Sequence, residues 1–143
     1  MLLRASLVLF ALSALHSVAL AESCGSAPIA PALASAAEIR QKSPADAAAA
    51  KHDAFVEIKN WQADLKTYRA CLTNVSNEAR REVSNLDPNK DTDKITGLQQ
   101  QSAAVTHQYD RTVDMEERVV NEFHAVQEAY CGRSDVNRSS CPK

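Results

Sequence analysis

The stretch from Pro44 to Asn85 constrains the fold most, because after its first residue it contains neither glycine nor proline. Its apolar side chains recur at steps of three and four residues, the pattern of a helix that buries one stripe along its length. The residues of this stripe are Ile58, Trp61, Leu65, Tyr68, Leu72, Val75 and Ala79, extended toward the N-terminus by Phe55 and residues 47–50. The sequence therefore predicts a helix over residues 44–85 that needs a partner to cover its stripe.

A second long helix is predicted over residues 92–130, after a turn at residues 86–91. The turn contains Pro88, which is compatible with the start of a helix but not with its interior. Gly97 weakens only the first turns of this helix. Its seam again steps by three and four: Ile95, Leu98, Ser102, Val105, Tyr109, Thr112 or Val113, Glu116, Val119, Phe123, Val126 and Tyr130.

Two helices of about 40 residues joined by so short a turn lie antiparallel. Facing residues then have numbers that sum to about 174, within one helical turn. This pairs Phe55 with Val119 and Leu65 with Tyr109, so that apolar positions meet along the hairpin. The predicted fold class is all-α, a long, coiled-coil-like, antiparallel two-helix hairpin. Its predicted core is Phe55, Trp61, Leu65, Tyr68, Leu72, Tyr109, Val119 and Phe123.

The residues before the first long helix are predicted to form a leader, residues 22–42, that packs along the hairpin. Its first part contains Pro28 and Pro31 and is predicted to be extended. Ser35 and Glu38 have the spacing of a capping box, which predicts a short helix over residues 36–42. With a short tail at residues 131–143, residues 22–143 form a single predicted domain, and residues 1–21 precede it.

Residues 1–21 have the features of a signal peptide. A positively charged start at Met1–Arg4 is followed by the mostly apolar run Ala5–Ala21, which ends in the small-x-small pattern of a cleavage site. The prediction is therefore an exported protein, periplasmic or secreted, with no membrane span after cleavage. A retained membrane anchor, or a lipid attached to Cys24, are the alternatives.

Four cysteines in a small exported chain favour disulfides, and they allow three connectivities. In the predicted hairpin Cys71 and Cys131 lie about 40 Å apart. The tail is too short to bring Cys141 to Cys71. The geometry therefore favours Cys24–Cys71 with Cys131–Cys141. An unpaired Cys71, or a Cys71–Cys71 bridge between two copies, is the alternative.

The Cys24–Cys71 bridge forms only if the chain reverses at Ser43-Pro44. The leader then lies along the hairpin as a third layer, near the small residues Ala103 and Ala104. Two helices alone bury only one stripe each, so a disulfide-stapled leader, or a second copy of the chain, adds stability that the hairpin lacks.

Several spacings resemble a family of small exported helical proteins of proteobacteria whose function is uncharacterised. They are Lys51-x3-Phe55, Tyr68-x2-Cys71-Leu72, and Tyr109-Asp110-x2-Val113-Asp114-x-Glu116-x2-Val119-x3-Phe123-x6-Tyr130. A proline-containing N-terminus with a cysteine is also similar, whereas the Cys131–Cys141 tail is not part of the pattern. The resemblance implies an exported α-helical protein and carries no activity and no site residues.

Composition and motifs argue against several classes of function. Lys and Arg number 16 against 18 Asp and Glu, so the basic excess of a nucleic-acid-binding protein is missing. Neither a phosphate-binding glycine loop nor the spacing of a catalytic triad occurs, so we predict no enzyme activity and no cofactor. The charges beside the apolar stripe are interpreted as a solvated face: Glu57, Lys59, Asp64, Lys66, Arg69, Glu78, Arg80 and Arg81.

One candidate ligand site lies at the open end of the predicted hairpin. His52 and His124 are near each other across the two helices, and Glu128 follows one turn after His124. Two imidazoles and a carboxylate are ligands for Zn²⁺ or Cu²⁺. Glu116 lies on the apolar seam, where the Trp61 indole, Lys59 or a neighbouring helix could serve as its partner. We interpret it as a residue at the edge of the seam that either reaches solvent or sets the register of the helices.

These observations favour a non-enzymatic structural or protein-interaction module. The expected partner is a protein of the envelope or the extracellular space, or a second copy of the chain. The alternative is a small-ligand or metal carrier that uses the His52/His124 end. An enzyme inhibitor is a third hypothesis, which the sequence does not distinguish from other binding proteins.

Overall fold

A computed structural model describes residues 24–141 of the chain. The predicted signal peptide, residues 1–21, lies outside the described residues. The described chain forms the helices α1, Ala36–Gln41, α2, Pro44–Ser84, and α3, Thr92–Cys131, followed by a 3₁₀ turn at Arg138–Ser140. The all-α prediction is confirmed, and both long helices begin and end within one residue of the predicted positions.

Helices α1 and α2 begin at serines that replace missing backbone hydrogen bonds. Ser35 Oγ accepts from the Glu38 N–H at 3.2 Å, and the Glu38 carboxylate accepts from the Ser35 N–H at 2.7 Å, which is the predicted capping box. The Ser35 backbone N–H, and then its hydroxyl, lower the pKa of Glu38. At the start of α2, Ser43 Oγ accepts from the Asp46 N–H at 3.2 Å, and Pro44 follows where no N–H is needed. The chain therefore reverses between α1 and α2 where the sequence predicts.

Helices α2 and α3 pack along their length as an antiparallel hairpin. Contacts between them include Phe55 with Phe123, Ser76 with Ser102, and Glu82 with Lys94. The residue numbers of such pairs sum to about 178, so the pairing is offset by about one helical turn from the predicted 174. Phe55 thus meets Phe123 rather than Val119.

The leader runs along one side of this hairpin, antiparallel to α2. A disulfide joins Cys24 to Cys71, the Trp61 indole N–H donates to the Pro28 carbonyl at 3.3 Å, and Leu33 packs beside Ile58 and Trp61. Helix α1 continues the leader and buries Ile39 against both long helices. The predicted third layer and its Cys24–Cys71 bridge are confirmed. The predicted neighbours Ala103 and Ala104 are instead exposed.

The tail, residues 132–141, packs against the end of α1 on the covered side of the hairpin. A second disulfide joins Cys131 to Cys141, as predicted. The Arg133 guanidinium donates to the carbonyls of Ile39 and Lys42 at 2.7 and 2.8 Å, and it also binds the Asp135 carboxylate. The hydrogen bond from Arg133 lowers the pKa of Asp135. The tail therefore holds the end of α1 onto the hairpin.

The predicted core is right on one side of the hairpin and wrong on the other. Phe55 is 50% exposed and Tyr109 is 37% exposed, so neither is a core residue. Phe123 is only partly buried. These three aromatic residues lie on the side that the leader does not cover, which explains their exposure. The remaining predicted core residues are buried: Trp61, Leu65, Tyr68, Leu72 and Val119.

Within residues 24–141, no helix is both long enough and apolar enough to cross a membrane.

Candidate interaction surface

Two packed helices form a groove on each side, and the leader covers only one of them, from Cys71 toward the start of α2. A cavity of about 860 Å³ remains on that side beside Gly25 and Tyr68. The other groove is open to solvent along the hairpin. We call it the open groove and define it by six residues: Lys51, Phe55, Arg69 and Thr73 of α2, and Tyr109 and Phe123 of α3.

Aromatic side chains line the open groove near the start of α2. The ring centres of Phe55 and Phe123 are 6.3 Å apart, within the range of aromatic pairs, and the rings are tilted by 37°. The Lys51 ammonium lies 4.4 Å from the centre of the Tyr130 ring. Between these side chains is a cavity of about 450 Å³, which also contacts Gln127. This end can accept an apolar side chain from another molecule.

Polar side chains cross the middle of the open groove and join the two helices. Arg69 binds the Glu116 carboxylate and donates through Nε to the Thr112 hydroxyl at 2.7 Å. Gln62 donates to the second Glu116 oxygen at 2.8 Å. Glu116 therefore has its partners on the neighbouring helix, one of the predicted options, whereas the Trp61 indole binds the leader instead.

Tyr109 lies over this polar network. Its ring centre is 5.6 Å from the Arg69 guanidinium carbon, within the range of a cation–π contact. Thr112 holds the backbone at this point, because its hydroxyl donates to the Tyr109 carbonyl at 2.6 Å. The Tyr109 ring is therefore exposed on one face and packs against Arg69 on the other.

Toward the turn, the open groove becomes narrow. The Ser76 and Ser102 hydroxyls hydrogen-bond across the helices at 2.9 Å. A small cavity of about 170 Å³ lies beside them, lined by Thr73, Arg80 and Thr106 among others, and Tyr109 closes its other end. The groove therefore changes from aromatic to small and polar along its length.

Three positive and three negative charges of α2 lie on different sides of the helix. The prediction of a single solvated face did not include this separation. Lys59, Lys66 and Arg80 belong to one series with a spacing of seven residues, and the remaining member is Thr73, which lines the open groove. We call these three cations the basic edge. All three side chains are exposed.

The acidic residues of α2 lie on the opposite edge. Glu57, Asp64 and Glu78 form a second seven-residue series whose remaining member is Cys71, which is bonded to the leader. We call them the acidic edge. The sequence already contains this separation, because grouping these six charged residues of α2 by their heptad position places the basic and the acidic residues in different groups.

The predicted metal site does not form. Within the described residues, no three His, Cys, Asp or Glu side chains are placed to hold a metal ion. His124 lies two positions before the buried Val126, a rotation of about 200° around the helix, so it points away from α2. His52 lines the aromatic cavity, but His124 and Glu128 do not. The three residues flank the end of the hairpin without converging.

Comparisons with family models, with curated proteins and with solved structures found no match to this chain.

Proposed function

We propose that the chain is an exported, non-enzymatic interaction protein that binds a protein partner in the open groove. The observation that carries this proposal is the unequal covering of the hairpin. On the open side Phe55, Tyr109 and Val113 are 50%, 37% and 43% exposed, whereas the corresponding residues under the leader are buried.

The chemistry of the open groove supports protein binding. Aromatic side chains together with arginine are enriched where proteins contact one another, because they supply a large contact area and hydrogen bonds at once. Phe55, Phe123, Tyr109 and Arg69 provide this combination on rigid helices. Half-buried rings require little ordering on binding, which favours affinity.

Two features support export. Both disulfides of the described chain suit an oxidising compartment, where such bonds form and persist. Residues 1–21 have the pattern of a cleavable signal peptide. The partner is therefore expected in the periplasm, at the cell envelope or outside the cell.

A capture experiment with matched variants tests the proposal. Biotinylated protein comprising residues 22–143, with its disulfides formed, is incubated with envelope and medium fractions of its own organism. We compare wild type with Phe55→Glu, which places a charge in the open groove. The control is Val56→Glu, because Val56 is similarly exposed at 41% but is rotated by about 100° from Phe55 and lies outside the groove.

We expect wild type and Val56→Glu to capture the same protein and Phe55→Glu to lose it. Circular dichroism checks that all three proteins are folded. Equal capture by all three would exclude the open groove as the binding surface, and capture of no specific protein would contradict the proposed role.

A further inference from the structure

We infer that the occupant of the open groove is an amphipathic α-helix of another protein, with acidic residues along one edge. This inference rests on the proposed function and adds the chemistry of the partner. The acidic edge of the partner lies on the basic edge of α2, and its apolar face lies on Phe55, Tyr109 and Phe123.

The two borders of the open groove differ in charge, which fixes the orientation of a partner. On α2 the border is the basic edge. On α3 the border is a seven-residue series without charge: Thr106, Val113, Val120 and Gln127. Thr106 lines the cavity beside Tyr109, and Gln127 lines the cavity beside Phe123, so both ends of the series lie at the groove. A partner therefore meets positive charge on one border only.

The spacing of the border residues favours a helix over an extended segment. Residues seven apart on a helix are about 10.5 Å apart along its axis. A partner helix repeats its own faces at the same interval, so its acidic residues stay in register with Lys59, Lys66 and Arg80. Side chains on one face of an extended chain repeat about every 6.6 Å and drift out of register. From Lys59 to Arg80 the basic edge spans about 32 Å, the length of a helix of about 21 residues.

A lipid surface fits these observations less well. Phe55 and Tyr109 lie in a concave groove and are half-buried, whereas residues that insert into a bilayer protrude from a convex apolar face. Positive charge on one border only also matches the edge of a helix better than a plane of headgroups.

A second copy of the chain also fits less well. Its acidic edge lies beside its own leader, on the side away from its open groove. Pairing that edge with the basic edge of a neighbour is therefore a head-to-tail contact, which does not close into a dimer.

Designed peptides can stand in for the natural partner and test the inference directly. The acidic probe is a 21-residue helical peptide with leucine at the a and d positions and glutamate along one edge. The matched probe carries lysine in place of glutamate. Because the chain has a formal net charge of −2, non-specific attraction favours the lysine probe. Fluorescence anisotropy measures the binding of each probe to residues 22–143 with the disulfides formed.

We expect the acidic probe to bind at least tenfold more tightly than the lysine probe. Lys59→Glu/Lys66→Glu should weaken its binding about tenfold and improve the binding of the lysine probe. The control Glu57→Lys/Asp64→Lys reverses two charges on the acidic edge and should leave the affinity for the acidic probe within twofold. Phe55→Glu should abolish binding of both probes. The four charged side chains that are reversed are exposed, so these variants should fold, which circular dichroism checks.

The outcomes separate this inference from the proposed function. If neither probe binds, or if both bind equally and respond only to Phe55→Glu, the acidic helix is wrong, while capture of a partner in the open groove can still succeed. Binding to phosphatidylglycerol vesicles that is lost in Lys59→Glu/Lys66→Glu, without binding of the acidic probe, would identify a membrane surface instead. A dimer in sedimentation that Phe55→Glu dissociates would identify a second copy as the occupant. Each of these results overturns the inference.

Discussion

The two grooves of the helical hairpin differ in this protein, because one is covered by the leader and the other is exposed. On one side, the leader is bonded to Cys71, accepts a hydrogen bond from Trp61 and covers the apolar residues beneath it. On the other side, Phe55 and Tyr109 line a groove that no described segment of the chain fills. The covered side therefore provides stability, and the open side is available for binding.

This division shows how a thin fold can keep an exposed surface. Two helices alone bury too little apolar area to be stable with an uncovered groove. The leader adds a third layer and one covalent link, and the tail adds a second link at the end of α3, so the hairpin does not depend on a partner for its folding. Substitutions on the covered side should therefore reduce the free energy of unfolding, and substitutions on the open side should mainly reduce the affinity for a partner.

The largest effect is expected from removing the Cys24–Cys71 bridge. Without it the leader is no longer bonded to α2, so the covered side becomes more like the open side. Cys24→Ser/Cys71→Ser opens a link between residues 47 apart, and the free energy of unfolding should fall by about 4 kcal/mol. Urea unfolding followed by circular dichroism and by the emission of Trp61 measures this loss.

The second disulfide is the matched control for that experiment. Cys131→Ser/Cys141→Ser opens a link between residues only 10 apart and should cost about 3 kcal/mol. Trp61 emission should shift toward longer wavelength in the folded Cys24→Ser/Cys71→Ser protein and stay unchanged in the control. A loss below about 1 kcal/mol for Cys24→Ser/Cys71→Ser would mean that other contacts hold the leader.

A second prediction compares a residue between the helices with one in the open groove. Leu65 is fully buried, so Leu65→Ala should lower the free energy of unfolding by about 3 kcal/mol. Phe55→Ala removes half-exposed surface and one ring contact, and should cost about 1 kcal/mol. The measurement is urea unfolding. Equal losses would show that Phe55 is needed for folding and would remove the distinction between the sides.

The hydrogen bond between Trp61 and Pro28 gives a smaller effect. Trp61→Phe keeps an aromatic ring under the leader but leaves the Pro28 carbonyl without its donor, so stability should fall by about 1 kcal/mol. Tyr68→Phe is the control, since Tyr68 lies near the same leader and makes no side-chain hydrogen bond with the described residues. Thermal unfolding by circular dichroism should show a lower midpoint for Trp61→Phe only.

The smallest predicted effect depends on pH and lies where the tail holds α1. The pKa of Asp135 is lowered by its hydrogen bond from Arg133, so the ionised carboxylate is favoured in the folded protein. Its contribution is present above the ordinary pKa of aspartate and disappears as the pH falls through the lowered value. Asp135→Asn should therefore be slightly less stable than wild type at neutral pH and equal to it in strong acid, below the lowered pKa. A difference that persists in strong acid would exclude this ionisation as its cause.

The sequence predicted the hairpin and its disulfides because both follow from periodicity and distance. Steps of three and four residues identified α2 and α3, and the length of a helix excluded Cys71–Cys131. That reasoning does not predict the offset of one helical turn in the pairing of α2 with α3. Periodicity does not fix the pairing within one helical turn, whereas side-chain contacts such as Phe55 with Phe123 and Ser76 with Ser102 have the observed pairing.

The exposed aromatic residues were misassigned for a related reason. Phe55 and Tyr109 are at the edge of the apolar stripe, and an edge residue is buried only if a third segment covers its side. The sequence predicted that the leader returns along the hairpin, but not which groove it fills. Cys71 decides this, because it lies on the acidic edge of α2 and draws the leader to that side.

The two disulfides also determine how the protein responds to mechanical force. Tension applied to residues 24 and 141 passes through the Cys24–Cys71 link into α2 and leaves α3 through Cys131. The leader, α1 and the first part of α2 are bypassed and carry no load. A stretched chain would lengthen only between residues 71 and 131, to about 200 Å instead of about 400 Å for an unlinked chain. The two disulfides therefore limit how far the described chain can be stretched to about half of its unlinked length.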